Sequence, residues 1–279
     1  MSVLTQLIVW LNAAANSLAR VALAPLAAAP GWLSATVVGA VSGILMLLVF
    51  KYTSNQRAIK RVRSGLKAEL LTLKLFKESA AVALRAQGRM LVGAGLLLLY
   101  AIVPILVMLV PVTLLFEQVN QWYEAQPLRP GEEAVVTLKL GDAAEAAWPE
   151  IYLQPNKAID VSIGPVRLLS KREVCWNVKA CEHGYHRLVF HVDGRPFEKE
   201  LAIGNGFMRV SKQRPGRHWL DNLEHPWEQP FAPDSPVQSI DIDYPERSSW
   251  ISGRYWWTYW FLVSMVAALC FRRVLNVNI

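Results

Sequence analysis

The residues best suited to chemistry in this chain of 279 residues are Cys181-Glu-His183-Gly-Tyr-His186, with His191 a few positions on. Thiolate and imidazole at such spacings are zinc-ligand types, but a closed site takes four of them. No second Cys/His pair stands at ligand spacing. His186, Leu188, Phe190 and Val192 alternate as the apolar phase of a strand, and His191 falls on the opposite phase, so the two imidazoles diverge. No metal ligand is expected. The motifs G-x-S-x-G, H-E-x-x-H and the phosphate-binding loop are absent, and no G-x-G-x-x-G occurs between a strand and a helix. Gly204-Asn-Gly206 precedes a strand-like piece and reads as a turn. The acidic residues after residue 117 are scattered, with no pair spaced for acid/base work. The expectation is a protein that is not an enzyme, with no catalytic residue and no cofactor.

Charge points to a different kind of work. Lys51 to Arg89 carries ten Lys/Arg (51, 57, 60, 61, 63, 67, 74, 77, 85, 89) against Glu69 and Glu78, a net of +8. The whole chain has a formal charge of +7, and residues 117–253 hold 15 Lys/Arg against 20 Asp/Glu. The excess positive charge therefore sits in one segment rather than on a general basic surface, which argues against a nucleic-acid partner.

On either side of that segment the sequence is uncharged: Trp32 to Phe50 before it and Met90 to Phe116 after it. A bilayer core of ~30 Å needs about 20 apolar helical residues, because each backbone polar group must be satisfied within its own helix. Two transmembrane helices are expected here, 32–50 and 90–116. A short, strongly basic connection stays on the cytoplasmic side. Within 51–89, Ile59, Val62, Leu66, Leu70 and Leu73 recur every three or four residues. This is the a/d seam of a coiled-coil-like antiparallel helical hairpin or of an interfacial helix. Its turn is open between Gly65 and Lys77-Glu-Ser79. Lys51, Arg57, Lys60, Arg61, Arg63, Lys67, Lys74 and Lys77 form the candidate cytoplasmic contact surface, and membrane lipids are natural partners for it.

Residues 1–31 are apolar but interrupted by Gln6, Asn12, Asn16, Ser17 and Arg20, a pattern for an amphipathic helix in the membrane interface. A cleaved signal peptide ending near Leu26-Ala-Ala-Ala29 is the competing reading. In the first span, Gly39-Ala-Val-Ser-Gly43 places two glycines one turn apart, where another helix backbone can approach. Pro104 and Pro111 are expected to kink the second span.

From residue 117 to 250 the pattern changes to period two: Val136, Leu138, Leu140; Val174, Trp176, Val178; His186 to Val192; Phe197, Lys199, Leu201, Ile203. Asp193-Gly194 is a favoured two-residue hairpin turn. Further Val/Ile-rich pieces lie at 159–163 and 237–242. An antiparallel β-sandwich is expected, with 213–236 as a long Pro-, His- and Trp-rich loop. Cys175 and Cys181 lie in this part, where a disulfide and two free thiols are both open readings. Tyr255 to Phe271 is a third uncharged span with an aromatic outer end, followed by Arg272 and Arg273. The fold class expected is membrane α-helical, with three transmembrane helices and a cytoplasmic hairpin, plus an extracytoplasmic all-β sandwich. The membrane expected is a bacterial inner membrane, with the N-terminus outside and the tail (272–279) inside.

The segment Phe50-Lys-Tyr-Thr-Ser-Asn-Gln-Arg-Ala-Ile-Lys-Arg61 through Leu75, directly after the first span, resembles the basic hairpin of the YidC/Oxa superfamily of membrane insertases, in its minimal three-helix form. The likeness covers 1–116 and 250–279. It implies a helper of membrane-protein insertion that works without ATP, with membrane-protein substrates or the ribosome meeting the hairpin. It also implies a hydrophilic groove among the spans, for which Ser34, Thr36, Ser42, Tyr100, Thr258 and Ser264 are the candidates. The groove arginine of some bacterial members has no counterpart in these spans, and the β-domain stands where minimal members have a short loop. The alternative is a membrane-anchored scaffold whose β-sandwich binds an envelope protein.

Overall fold

The computed structural model describes residues 3–23, 31–75, 80–141, 148–216, 218–232, 234–249 and 253–277. The chain divides into two compact units, 1–35 with 114–259 and 36–113 with 260–279.

The second of these is helical. It draws on α2 (Gly31–Thr53), α3 (Gln56–Leu75), α4 (Ala80–Tyr123) and α6 (Trp256–Phe271). Two helices are long and apolar enough to cross a membrane: α2, and Leu84–Tyr123 of α4. The third apolar helix, α6, has 16 residues, about 24 Å at 1.5 Å per residue, so it is shorter than the other two. Pro104 and Pro111 lie inside α4 without interrupting it.

Asn55 separates α2 from α3 and caps the latter, its Oδ1 accepting from Ala58 N at 3.1 Å. That satisfies one of the orphan donors of the first turn. α3 then runs unbroken through Gly65 to Leu75, so the chain does not reverse at Gly65. The other candidate turn, 77–79, lies outside the described residues. α3 packs back on the start of α4: Glu69 meets Arg89 at 3.2 Å, and a Cβ added at Gly93 would stand 2.7 Å from Leu66. The segment is therefore a helical hairpin.

Gly39 and Gly43 face α6. A Cβ at Gly39 would lie 3.0 Å from Val263, and one at Gly43 would collide with the Ser264 carbonyl. Ser264 Oγ donates to Gly39 O at 2.8 Å. Ser42 Oγ donates to Val38 O at 2.6 Å and accepts from Trp260 Nε1 at 3.3 Å. Two backbones in near contact, bridged by hydroxyls, are what a small-x-x-x-small pattern permits.

The other unit is built on two antiparallel sheets. One has the order β3 (Ile159–Leu168), β4 (Glu173–Ala180), β1 (Glu133–Leu140), β8 (Val237–Ile242), β7 (Gln213–Arg214). The other has β2 (Ile151–Leu153), β5 (Gly184–Val192), β6 (Arg195–Ile203). Alternation sends Val136, Leu138, Trp176, Val178, Leu188, Phe190, Leu201, Ile203 and Ile240 into one shared core. Asp193 and Gly194 both take positive φ, 48° and 78°, as the turn between β5 and β6 requires. Two segments differ from expectation. After Gly206 there is no strand until the two-residue β7, and 213–236 contains β7 and the short helix α5 (Trp219–Glu224). A two-residue strand and a six-residue helix are too short to show a period. The N-terminal helix α1 (Val3–Leu23) also belongs to this unit.

Two glycine substitutions separate packing from propensity. Gly43→Ala must drive α6 off α2 and is expected to cost about 1–3 kcal/mol or more. Gly65→Ala meets nothing within 4 Å and should stabilise its helix by about 0.5–1 kcal/mol. Thermal unfolding of the two variants in one detergent checks both signs.

Candidate functional site

The basic hairpin presents its cations outward. Arg57, Lys60, Arg61, Arg63, Lys67 and Lys74 are all exposed, as are Arg85 and Arg89 on α4. Lys51 is half-buried, with its Nζ 5.9 Å from the Tyr52 ring centroid. Lys77 lies outside the described residues. Among the described residues of the hairpin, the one ion pair is Arg89 with Glu69. The seam differs in detail from its expected form. Ile59 is buried and Val62, Leu66 and Leu73 are half-buried, but Leu70 is 53% exposed. Leu70, Leu71 and Leu75 are exposed towards the end of α3.

A cavity of about 320 Å³ opens among α2, α4 and α6. Its wall is Gly43, Met46, Leu47, Phe50, Met108, Val112, Trp260, Phe261, Ser264, Met265 and Ala268. Of the six hydroxyl residues expected to line a polar groove, only Ser264 is in it, and that hydroxyl donates to Gly39 O. Ser42 is spent on the α2–α6 contact. Thr258 Oγ1 donates to Tyr255 O at 2.6 Å. Thr36 and Tyr100 are half-buried away from this cavity. Ser34 belongs to the β-containing unit, where it donates to Gly31 O at 3.0 Å and accepts from Tyr123 OH at 3.0 Å. The groove is therefore apolar, because short hydroxyls in helices satisfy themselves on nearby carbonyls before facing a cavity.

In the β-containing unit, α1 is docked polar side inward. Asn12 Nδ2 donates to Asn222 O at 2.6 Å and Asn16 Nδ2 to Pro226 O at 2.9 Å, while Gln118 donates to Asn16. Leu7, Trp10 and Leu11 face out, Trp10 at 73% exposure.

Sequence reasoning missed an ionic network behind β6. Lys199 is fully buried, with its Nζ donating to Glu228, to Ser211 O at 2.7 Å and to Glu200 O at 3.3 Å. Burial lowers its pKa, with the Glu228 carboxylate opposing. Arg209 pairs with Glu200 at 2.6 Å and lies 3.4 Å over the Trp227 ring. Both carboxylates thus pin 209–228 onto the three-stranded sheet. The signal was in the pattern: Lys199 occupies an inward position between Phe197 and Leu201. His225, buried near Lys199, is pushed down to about 4 by burial first and by that cation second.

Cys175 and Cys181 are free thiols. Cys175 is within β4 and Cys181 one residue past it. Six steps of extended chain span about 20 Å, far beyond the ~7 Å that a disulfide allows between Cα atoms. That excludes the bridge. His186 Nε2 donates to Glu182 O at 2.9 Å, and His191 stacks on Tyr152 at 4.8 Å. Among the described residues no three His, Cys, Asp or Glu side chains are grouped to hold a metal.

Lys199→Ala, which leaves Glu228 buried without its cation, should cost about 3–5 kcal/mol, read by denaturant unfolding. Because His225 titrates lower in the folded chain than its usual 6.5, the unfolded chain binds more protons between those values. Stability is expected to fall as pH drops from about 6.5 towards 4, by about 1–3 kcal/mol. His225→Gln should remove that part of the acid dependence.

No protein-family model, no curated protein and no solved structure matches this chain.

Proposed function

We propose that the chain is an integral membrane protein that assists insertion or folding of membrane proteins without ATP hydrolysis, by the kind of arrangement used in YidC/Oxa-type insertases. The observation that carries this reading is the α3–α4 hairpin. It joins two apolar helices and exposes most of its cations together with Leu70, Leu71 and Leu75. Such a surface suits anionic lipid or the ribosome, and an emerging apolar segment alike. In this reading the hairpin is cytoplasmic, because short basic connections are retained there. The β-domain then lies outside the cytoplasm, α1 rests with Leu7, Trp10 and Leu11 in the outer interface, and α6 makes the third crossing. Its 16 residues begin with the aromatic end Trp256–Trp260 and are followed by Arg272 and Arg273, whose long side chains reach an interface from a short helix. The apolar cavity among α2, α4 and α6 offers a client helix packing surface rather than a polar path.

A second reading, a scaffold for an envelope partner, is favoured by the outer face of the five-stranded sheet. Val135 and Ile163 both sit across from Asn177, and Val166 sits across from Cys175, so the three share a face. They are 43%, 59% and 48% exposed. Depletion of the protein followed by proteomics of the membrane separates the two. Broad loss of multi-span proteins supports insertion, and loss of a single complex supports the scaffold.

Two further outcomes are expected. In a background without native cysteines, Gly65→Cys should resist an impermeant thiol reagent until lysis, whereas Asn205→Cys labels in intact cells. The reverse pattern sinks both readings. Changing Arg57, Lys60, Arg61 and Arg63 together to Gln should reduce crosslinking of the hairpin to ribosomes or nascent chains about tenfold, since these contacts are electrostatically steered.

A further inference from the structure

Arg247 differs from Lys199 and Arg209. Lys199 has Glu228, and Arg209 has Glu200. Arg247 is half-buried, and among the described residues no carboxylate pairs with it. Its Nη2 donates to Met208 O at 3.1 Å, its Nε is buried without an acceptor, and its guanidinium lies 4.9 Å from the Phe207 ring centroid. Burial lowers its pKa, with the Tyr123 and Tyr185 hydroxyls opposing. Taking a cation out of water without a counter-charge is costly, and an anion supplied from outside is the way to offset it.

Space for that anion is present. Arg247 lines a cavity of about 430 Å³ together with Trp32, Tyr123, Asn205, Gly206 and Phe207, within the size range of small-ligand sites. The wall joins a guanidinium to aromatic rings. That combination suits a small anion carrying an apolar or glycerol-like appendage, and a guanidinium is the side chain best matched to phosphate oxygens.

We propose that this cavity binds a phosphate group through Arg247, either as the headgroup of a phospholipid or as a free phosphate. The site is independent of the insertion reading and stands or falls separately from it.

The test uses the full chain purified in detergent, with one arm titrated with short-chain phosphatidylglycerol and the other with inorganic phosphate, both read by calorimetry. Binding in either arm that Arg247→Gln weakens about tenfold or more, the scale of one charge-assisted hydrogen bond, supports the site. Preference for the lipid identifies a headgroup, and equal binding identifies free phosphate. Because Arg247→Gln also removes the contact to Met208, the exposed rim residue Asn205 gives a second readout. Asn205→Asp should weaken binding and Asn205→Lys strengthen it, with unfolding temperatures unchanged. No binding in either arm, or binding indifferent to the Asn205 charge, overturns the proposal.

Discussion

At Gly43 the backbones of α2 and α6 meet with no side chain between them, and that contact governs what the helical unit can hold. Helices this close exchange dispersion along their whole seam and leave room only for short groups. The groups that fit are Ser42 and Ser264, each of which donates to a helix carbonyl across or along the seam. The same tight seam leaves the space beside it unfilled. Met46, Met108 and Met265 border that space with unbranched, adaptable side chains. A cavity walled this way favours another apolar body over a polar one, which is why the proposed client contact is a packing surface.

The β-containing unit is organised by a different constraint, the cost of burying charge. Lys199 could not sit behind β6 without acceptors for its ammonium, and three come from Glu228, Ser211 and Glu200. Supplying them draws 209–228 onto the three-stranded sheet, and that segment in turn receives α1 through Asn222 and Pro226. Asn12 and Asn16 of α1 are thereby spent within the protein. Its apolar face, with Leu7, Trp10 and Leu11, is the one left outward, the reverse of a helix packed on a water-soluble core.

In the helical unit, Ser42 and Ser264 each find a carbonyl nearby, and most of the hairpin's cations stay exposed. In the β-containing unit, Lys199 is matched by Glu228 and Arg209 by Glu200, while the half-buried Arg247 pairs with no acid among the described residues.

The chain's order alone determined the broad plan. Uncharged runs at 32–50 and 90–116 meant long apolar helices, because helical backbone needs no outside partner. Alternation through Val136–Leu140, Val174–Val178 and Leu188–Val192, with Asp193-Gly194 between two such runs, meant antiparallel strands, because side chains on a strand point to opposite faces by turns. The pairing of Gly39 and Gly43 with α6 was legible only as an opportunity, since a glycine pair does not say which backbone approaches. Tertiary structure decided the rest. It spent the hydroxyls expected of a groove on helix carbonyls, held Cys175 and Cys181 apart along one extended strand, and brought Glu228 to Lys199 across 28 intervening residues. Period and composition report which face a residue takes. They carry no information about which distant residue will meet it there, because that depends on how whole elements stack and which buried charge most needs a partner.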